Sequence, residues 1–197
     1  MKKLTLIALF AIVGFVANAQ KGSILLSGNI GFSTSSVEKS NTSAQLFNFN
    51  PQIGYGISNN LHFGIFNETT LATGADFNGN ALGNDKLNGN LVVVGPFLRY
   101  TKKFGDIFAV FADAKLGWMS GYHDAMTDSR GNASVMSGFH FGITPSALIN
   151  LTNNFGLTFS FGGVNYQSFG FNEAQSTEFN MNFGKQFSVG VQKVFGK

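Results

Sequence analysis

A period of two runs through almost the whole of this chain. From Ile24 onward large apolar side chains alternate with glycine or small polar ones, in one stretch after another, and no helical period competes with it. One stretch sets Phe47, Phe49, Pro51, Ile53, Tyr55 and Ile57 against Asn48, Asn50, Gln52, Gly54 and Gly56, then stops at the turn cluster Ser58, Asn59 and Asn60. Alternation of this kind specifies strands with two unlike faces. Charge is missing over long intervals: no Asp, Glu, Lys or Arg occurs from Ser40 to Asn67 or from Gly131 to Asn172. Of 197 residues only 12% are charged, against about 25% in an ordinary soluble domain, which leaves little to cover a water-facing surface.

Eight such strands follow one another. The first sets Ile24, Leu26, Ile30 and Phe32 against Ser23, Ser27, Asn29, Gly31 and Ser33, with Leu25 breaking the polar face. The third, fourth and fifth carry Phe63 and Ile65, Val94 and Leu98, and Leu116 and Trp118 on their apolar sides. The sixth, seventh and eighth carry Phe139 and Phe141, Phe159 and Phe161, and Phe183 and Phe187. Tight turns are expected at 58–60, 102–106 and 152–154, and longer connections near 33–44, 73–88, 119–134 and 167–176. Short and long connections alternate, so the repeating unit is a hairpin. Pro51, Pro96 and Pro145 each stand a few residues before a tight turn on the apolar face. They predict bulges or bends at a common height, because proline forfeits a ladder hydrogen bond.

The segment before the strands has a different plan. Lys2 and Lys3 precede an apolar stretch from Leu4 to Val16 and the small-residue site Ala17-Asn18-Ala19, the pattern of a cleaved export signal. Its 13 residues fall short of the roughly 20 that span a bilayer as a helix. Residues 1–19 are therefore expected to be removed, leaving 20–197 as one domain. The formal charge of +3 is then mostly the signal's: 11 basic residues remain against 10 acidic ones, and no nucleic-acid-binding face is expected. With no cysteine, a disulfide scaffold is excluded.

Bulk decides which face looks outward. An eight-stranded barrel encloses a space just wide enough for side chains, and Phe47, Phe49, Phe139, Phe141, Phe159, Phe161, Phe183 and Phe187 could not all fit inside. The small, polar face must line the interior. An outward coat of phenylalanine is a hazard in water but the required surface in a bilayer, where closure also satisfies every backbone group. The expected fold class is all-β, an eight-stranded antiparallel up-and-down transmembrane β-barrel. Two rivals remain: a narrow porin-like channel for small solutes, and a secreted soluble barrel holding a small apolar ligand.

Through Gly95-Pro96-Phe97-Leu98-Arg99-Tyr100, the segment Pro145 to Phe155 and a last strand ending in Val194-Phe195, the chain resembles the small eight-stranded outer-membrane β-barrels of Gram-negative bacteria, such as OmpX and the barrel half of OmpA. Two departures are that Gly196-Lys197 follow the terminal aromatic and that no peptidoglycan-binding domain is expected after the barrel. The resemblance implies an outer-membrane location, with termini and tight turns on the periplasmic side and long connections outside the cell. It further implies contact with outer-membrane lipid and lipopolysaccharide, insertion by the barrel-assembly machinery, and a structural or surface-interaction role whose ligand is not specified.

The inward-facing charges Glu68, Arg99, Asp113 and Lys115 are the candidate lumen network. Unpaired charge in a narrow lumen is costly, so a paired plug around Glu68, Asp113 and Lys115 is expected, with Arg99 nearer the base. Inward Phe66, Phe97, Phe111, Leu46 and Leu148 favour filling over an ion path. Tyr55, Tyr100, Phe155 and Phe195 near the turns, and Trp118 and Tyr122 at the far end, are candidate interfacial aromatics. His62 and His140 face inward and His123 falls in a loop, too sparse a set for a metal site. The loop from Asp76 is similar to the start of a calcium loop, but lacks glycine at its sixth position and has Leu87 where a bidentate Glu belongs. Asp124, Asp128 and Arg130 are expected to be solvated. No enzyme, cofactor or metal is expected: Ser137 and His140, three apart on a strand, face opposite sides. Lys185 stands on the apolar parity, which calls either for a last strand projecting beyond the bilayer or for a bulge near Gly184.

Overall fold

In the computed structural model, described for residues 22–37, 42–76, 87–127, 133–152, 154–171 and 174–196, the chain is a meander of strands. These are β1 (Ile24–Val37), β2 (Thr42–Gly56), β3 (Leu61–Thr73), β4 (Asn88–Phe104), β5 (Phe108–Thr127), β6 (Ala133–Thr152), β7 (Phe155–Phe171) and β8 (Ala174–Phe195). Each pairs antiparallel with the next, and β8 returns to β1, so the eight strands close into a barrel. Two of the tight turns use left-handed backbone, at Gly105 (φ 84°) and Asn154 (φ 61°), where glycine and asparagine cost least. The expected export segment, 1–19, lies outside the described residues.

Side chains sort by parity as the alternation requires. On β4, Val93, Phe97 and Arg99 are buried while Val94 and Tyr100 are exposed. On β5, Ala109, Phe111, Asp113, Lys115 and Met119 are buried while Phe108, Leu116 and Trp118 are exposed. The interior is thus built from the small and polar parity plus a few large residues, among them Leu25, which packs with Phe66, Val93, Phe97 and Met119. Gly117 makes room for two of these: a Cβ there would stand 2.6 Å from a Val93 methyl and 2.9 Å from the Phe66 ring.

Three of the expected long connections are shorter than their sequences suggest. β1 continues to Val37 and β2 starts at Thr42; β5 reaches Thr127 and β6 starts at Ala133; β7 runs to Phe171 and β8 starts at Ala174. The ladders persist through pairs such as Ser33↔Leu46, Ser120↔Ser137 and Gly170↔Gln175, where the apolar alternation has ended. Backbone pairing does not need an apolar outer face, so the pattern marks only the apolar part of each strand. His123, expected in a loop, lies on β5 and is buried, its Nε2 2.7 Å from the Ala75 carbonyl oxygen.

The prolines act on the ladder in one direction. β2 pairs with β3, and β4 with β5, on both sides of Pro51 and Pro96 but not at them, and the register is unchanged. Only Pro145 accompanies a bulge: between Ile143↔Val164 and Ser146↔Ser160, β7 has one residue more than β6. Gly162 (φ 87°) accommodates it. The outward parity of β7 changes across this point, from Phe161 below to Tyr166 above. Opposite, β8 carries 184–187 against Phe161 alone, with Gly184 at φ 82°, so a bulge does stand beside Lys185, whose own side chain lies outside the described residues.

Candidate functional site

The lumen concentrates the buried charge of the protein. Arg99 and Asp113 are direct neighbours across β4 and β5, and both point inward. Arg99 Nε and Nη2 donate to the two carboxylate oxygens of Asp113, each at 2.6 Å, in a fork that matches the planar guanidinium. Its Nη1 donates to Gln192 Oε1 at 2.7 Å and Nη2 also reaches Gln52 Oε1 at 3.5 Å. One side chain therefore ties β4 to β5, β8 and β2 across the interior. Its guanidinium carbon lies 3.9 Å from the centroid of the Phe111 ring, which gives its face an electron-rich partner.

A second pair crosses the same space. Lys115 Nζ donates to Glu68 Oε1 at 2.6 Å and stands 5.2 Å from the Phe66 centroid. The grouping differs from that expected: Asp113 is taken by Arg99, while Glu68 and Lys115 form a pair of their own. Two cations and two anions balance, as burial demands, since removing an ion from water costs several kcal/mol unless a partner compensates. Gln52 and Gln192 were legible only as inward parity; their role as acceptors depends on the reach of Arg99 around the wall, which local pattern does not encode.

Polar side chains line the remaining wall. Asn50 Nδ2 donates to Asn29 Oδ1 at 2.9 Å, Thr70 Oγ1 to Asn48 Oδ1 at 2.8 Å, and the hydroxyls of Ser146 and Ser160 are 2.8 Å apart. Asn29, Asn48, Asn50 and Ser160 line, with the two ion pairs, a cavity of about 830 Å³ that is open to the outside. His62 and His140 face inward and are buried; His62 Nε2 is 3.3 Å from Ser23 Oγ. Among the described residues, no three His, Asp or Glu side chains converge as metal ligands. Asp124, on β5, accepts from the Asn88 backbone N–H at 3.0 Å, while Asp128, Arg130 and most of the loop that follows Asp76 lie outside the described residues.

The outer wall carries the opposite chemistry. Ile53, Phe63, Ile65, Leu116, Phe161 and Phe183 are all exposed. Ile24 pairs with both Tyr55 and Phe195, which puts these two aromatics at one rim; Tyr100, paired with Leu61, and Phe155, paired with Lys193, share that end. Trp118 and Tyr122 lie towards the other end of β5 and face outward. With about 3.3 Å per residue and a tilt near 40°, the climb from Phe108 to Trp118 is roughly 25 Å, the height of an apolar membrane band.

The chain matches no family model and no curated protein. Solved structures do resemble it. Neisserial surface protein A (NspA) is 19% identical, with 90% of this chain and 100% of that one covered and a TM-score of 0.54. The N-terminal beta-barrel domain of Pseudomonas aeruginosa OprF is 13% identical, with the same coverage and a TM-score of 0.50. The fold of this chain is that of the small eight-stranded outer-membrane β-barrels.

Proposed function

We propose that the protein is an integral outer-membrane barrel with a structural or surface-interaction role exerted at its long-connection end, its lumen obstructed by side chains, and no enzymatic step. The observation that carries this reading is the inversion of the usual globule. Phe63, Ile65 and Trp118 are 52%, 60% and 65% exposed on the wall, whereas Arg99 and Asp113 are 1% and 3% exposed within it. Such a wall suits lipid and not water. A secreted barrel for an apolar ligand would need the reverse arrangement.

Obstruction is supported by Arg99, which reaches across the interior, by buried Phe97 and Phe111 beside it, and by buried Phe66 beside Lys115. The expected orientation sets the tight turns in the periplasm and the ends of β5 to β8 outside the cell. Heat-modifiable migration of membrane fractions on gels tests the barrel in its native setting: folded protein should run ahead of boiled protein and resist carbonate extraction. Release by carbonate without detergent would refute membrane integration. In planar bilayers the intact protein should give no stable conductance steps; large, regular steps would favour the channel instead.

A further inference from the structure

The outer wall is not evenly studded with large side chains. Between β4 and β7 it dips into an apolar groove of about 340 Å³. The floor is Ala112 on β5 with Pro145 and Ala147 on β6, outward residues too small to reach the height of their neighbours and half-buried between them. Tyr100, directly across from Ala112, and Phe161, beside the bulge that Pro145 accompanies, form the two walls and are 52% and 42% exposed. Lys102, across from Val110 and nearer the tight turn, lies at the lip.

Depth and charge narrow what can cover this groove. Ala112 and its partner Pro145 stand four residues above Phe108 at the tight turn, a climb of roughly 10 Å within an apolar band of about 25 Å. The groove therefore belongs to the half of the band nearest the tight turns. An acyl chain lying in it touches a floor and two walls, where the wall elsewhere offers a single face, and every added contact gains dispersion energy. Among the described residues Lys102 makes no ion pair, and no carboxylate lines the groove. The adjoining turn adds Lys103 and Asp106, which balance, so Lys102 sets the sign of the lip. A lysine at this height extends its ammonium to the head-group level and attracts negative charge there.

We propose that this groove retains one anionic phospholipid of the periplasmic leaflet, with an acyl chain seated over Ala112, Pro145 and Ala147 and the phosphate held by the Lys102 ammonium. The assignment of the leaflet rests on the outer-membrane reading above, which sets the tight turns in the periplasm. A zwitterionic head group would bring its own ammonium beside Lys102 with no carboxylate in the groove to meet it. Lipopolysaccharide belongs to the opposite leaflet, beyond the reach of a groove this close to the tight turns.

The test is lipid retention measured by mass spectrometry of the intact barrel, extracted in mild detergent from vesicles of equal phosphatidylglycerol and phosphatidylethanolamine. One retained phospholipid per barrel is expected, enriched several-fold in phosphatidylglycerol. Lys102→Gln should return the retained lipid to the bulk ratio, whereas Lys193→Gln, at the same rim but on β8, should leave the enrichment unchanged. Ala147→Phe fills the groove from the lipid side without touching the interior, and retention of both lipids should be lost. Ala112→Leu fills it from the neighbouring strand and should do the same. Heat-modifiable migration is read on every sample: a chain that fails it loses the membrane reading and this proposal together. A folded barrel that retains no lipid, or retains it in the bulk ratio, overturns the proposal alone. So does retention unaffected by both filling variants, enrichment unaffected by Lys102→Gln, or a lipid-free dimer that the filling variants dissociate.

Discussion

At the scale of single residues the lumen is governed by compensation. Asp113 is almost fully buried, and its compensating charge comes from Arg99. Arg99→Met should therefore lower the unfolding free energy by about 3–5 kcal/mol, most of it the cost of stranding the carboxylate. Adding Asp113→Leu to Arg99→Met should recover most of that loss. Urea titration of the folded barrel in phospholipid vesicles measures both, and a double variant no more stable than the single one would contradict the assignment. Gly117 offers a complementary reading of how tightly the same space is filled. Gly117→Val pushes its Cβ into Val93 and Phe66, and a loss of about 1–3 kcal/mol is expected in the same titration.

At the scale of strands the informative places are where the ladder changes step. Existence and facing of the strands were legible because an alternation of phenylalanine and glycine states which face meets lipid, from Phe47 on β2 to Val191 on β8. Step changes were not, because they arise between strands. Nothing local to Gly162 announces that β7 gains a residue over β6 there. For the same reason Arg99, Gln192 and Gln52 were readable as inward but not as one cluster. Gly162→Val imposes a β-branched side chain on a backbone at φ 87°, so it should cost at least about 1–2 kcal/mol. A signature separates this from general loss of packing. Hydrogen exchange should quicken at amides of Val164 to Gln167, above the bulge, while those of Leu157 to Phe159 below it keep their protection.

At the scale of the whole molecule, the lipid-facing coat makes stability a function of depth, a property no single strand possesses. Ile65 pairs with Ile53 on one side and Pro96 on the other, mid-wall and 60% exposed, with no inward alternative for its side chain. Phe104 is comparably exposed, at 56%, but ends β4 beside the turn to Phe108. In water an arginine at either place would be nearly neutral, since both side chains already face out. In a bilayer the two must differ: Ile65→Arg places a cation near the midplane and should cost about 2–4 kcal/mol, whereas Phe104→Arg at the rim should cost about 0–1 kcal/mol. Repeating the titrations in vesicles of thinner lipid should narrow the gap, because a shorter apolar band brings Ile65 nearer to water while Phe104 is already there. Equal costs at the two positions would mean that lipid does not cover this wall, and would remove the ground on which the membrane reading of the outward phenylalanines stands.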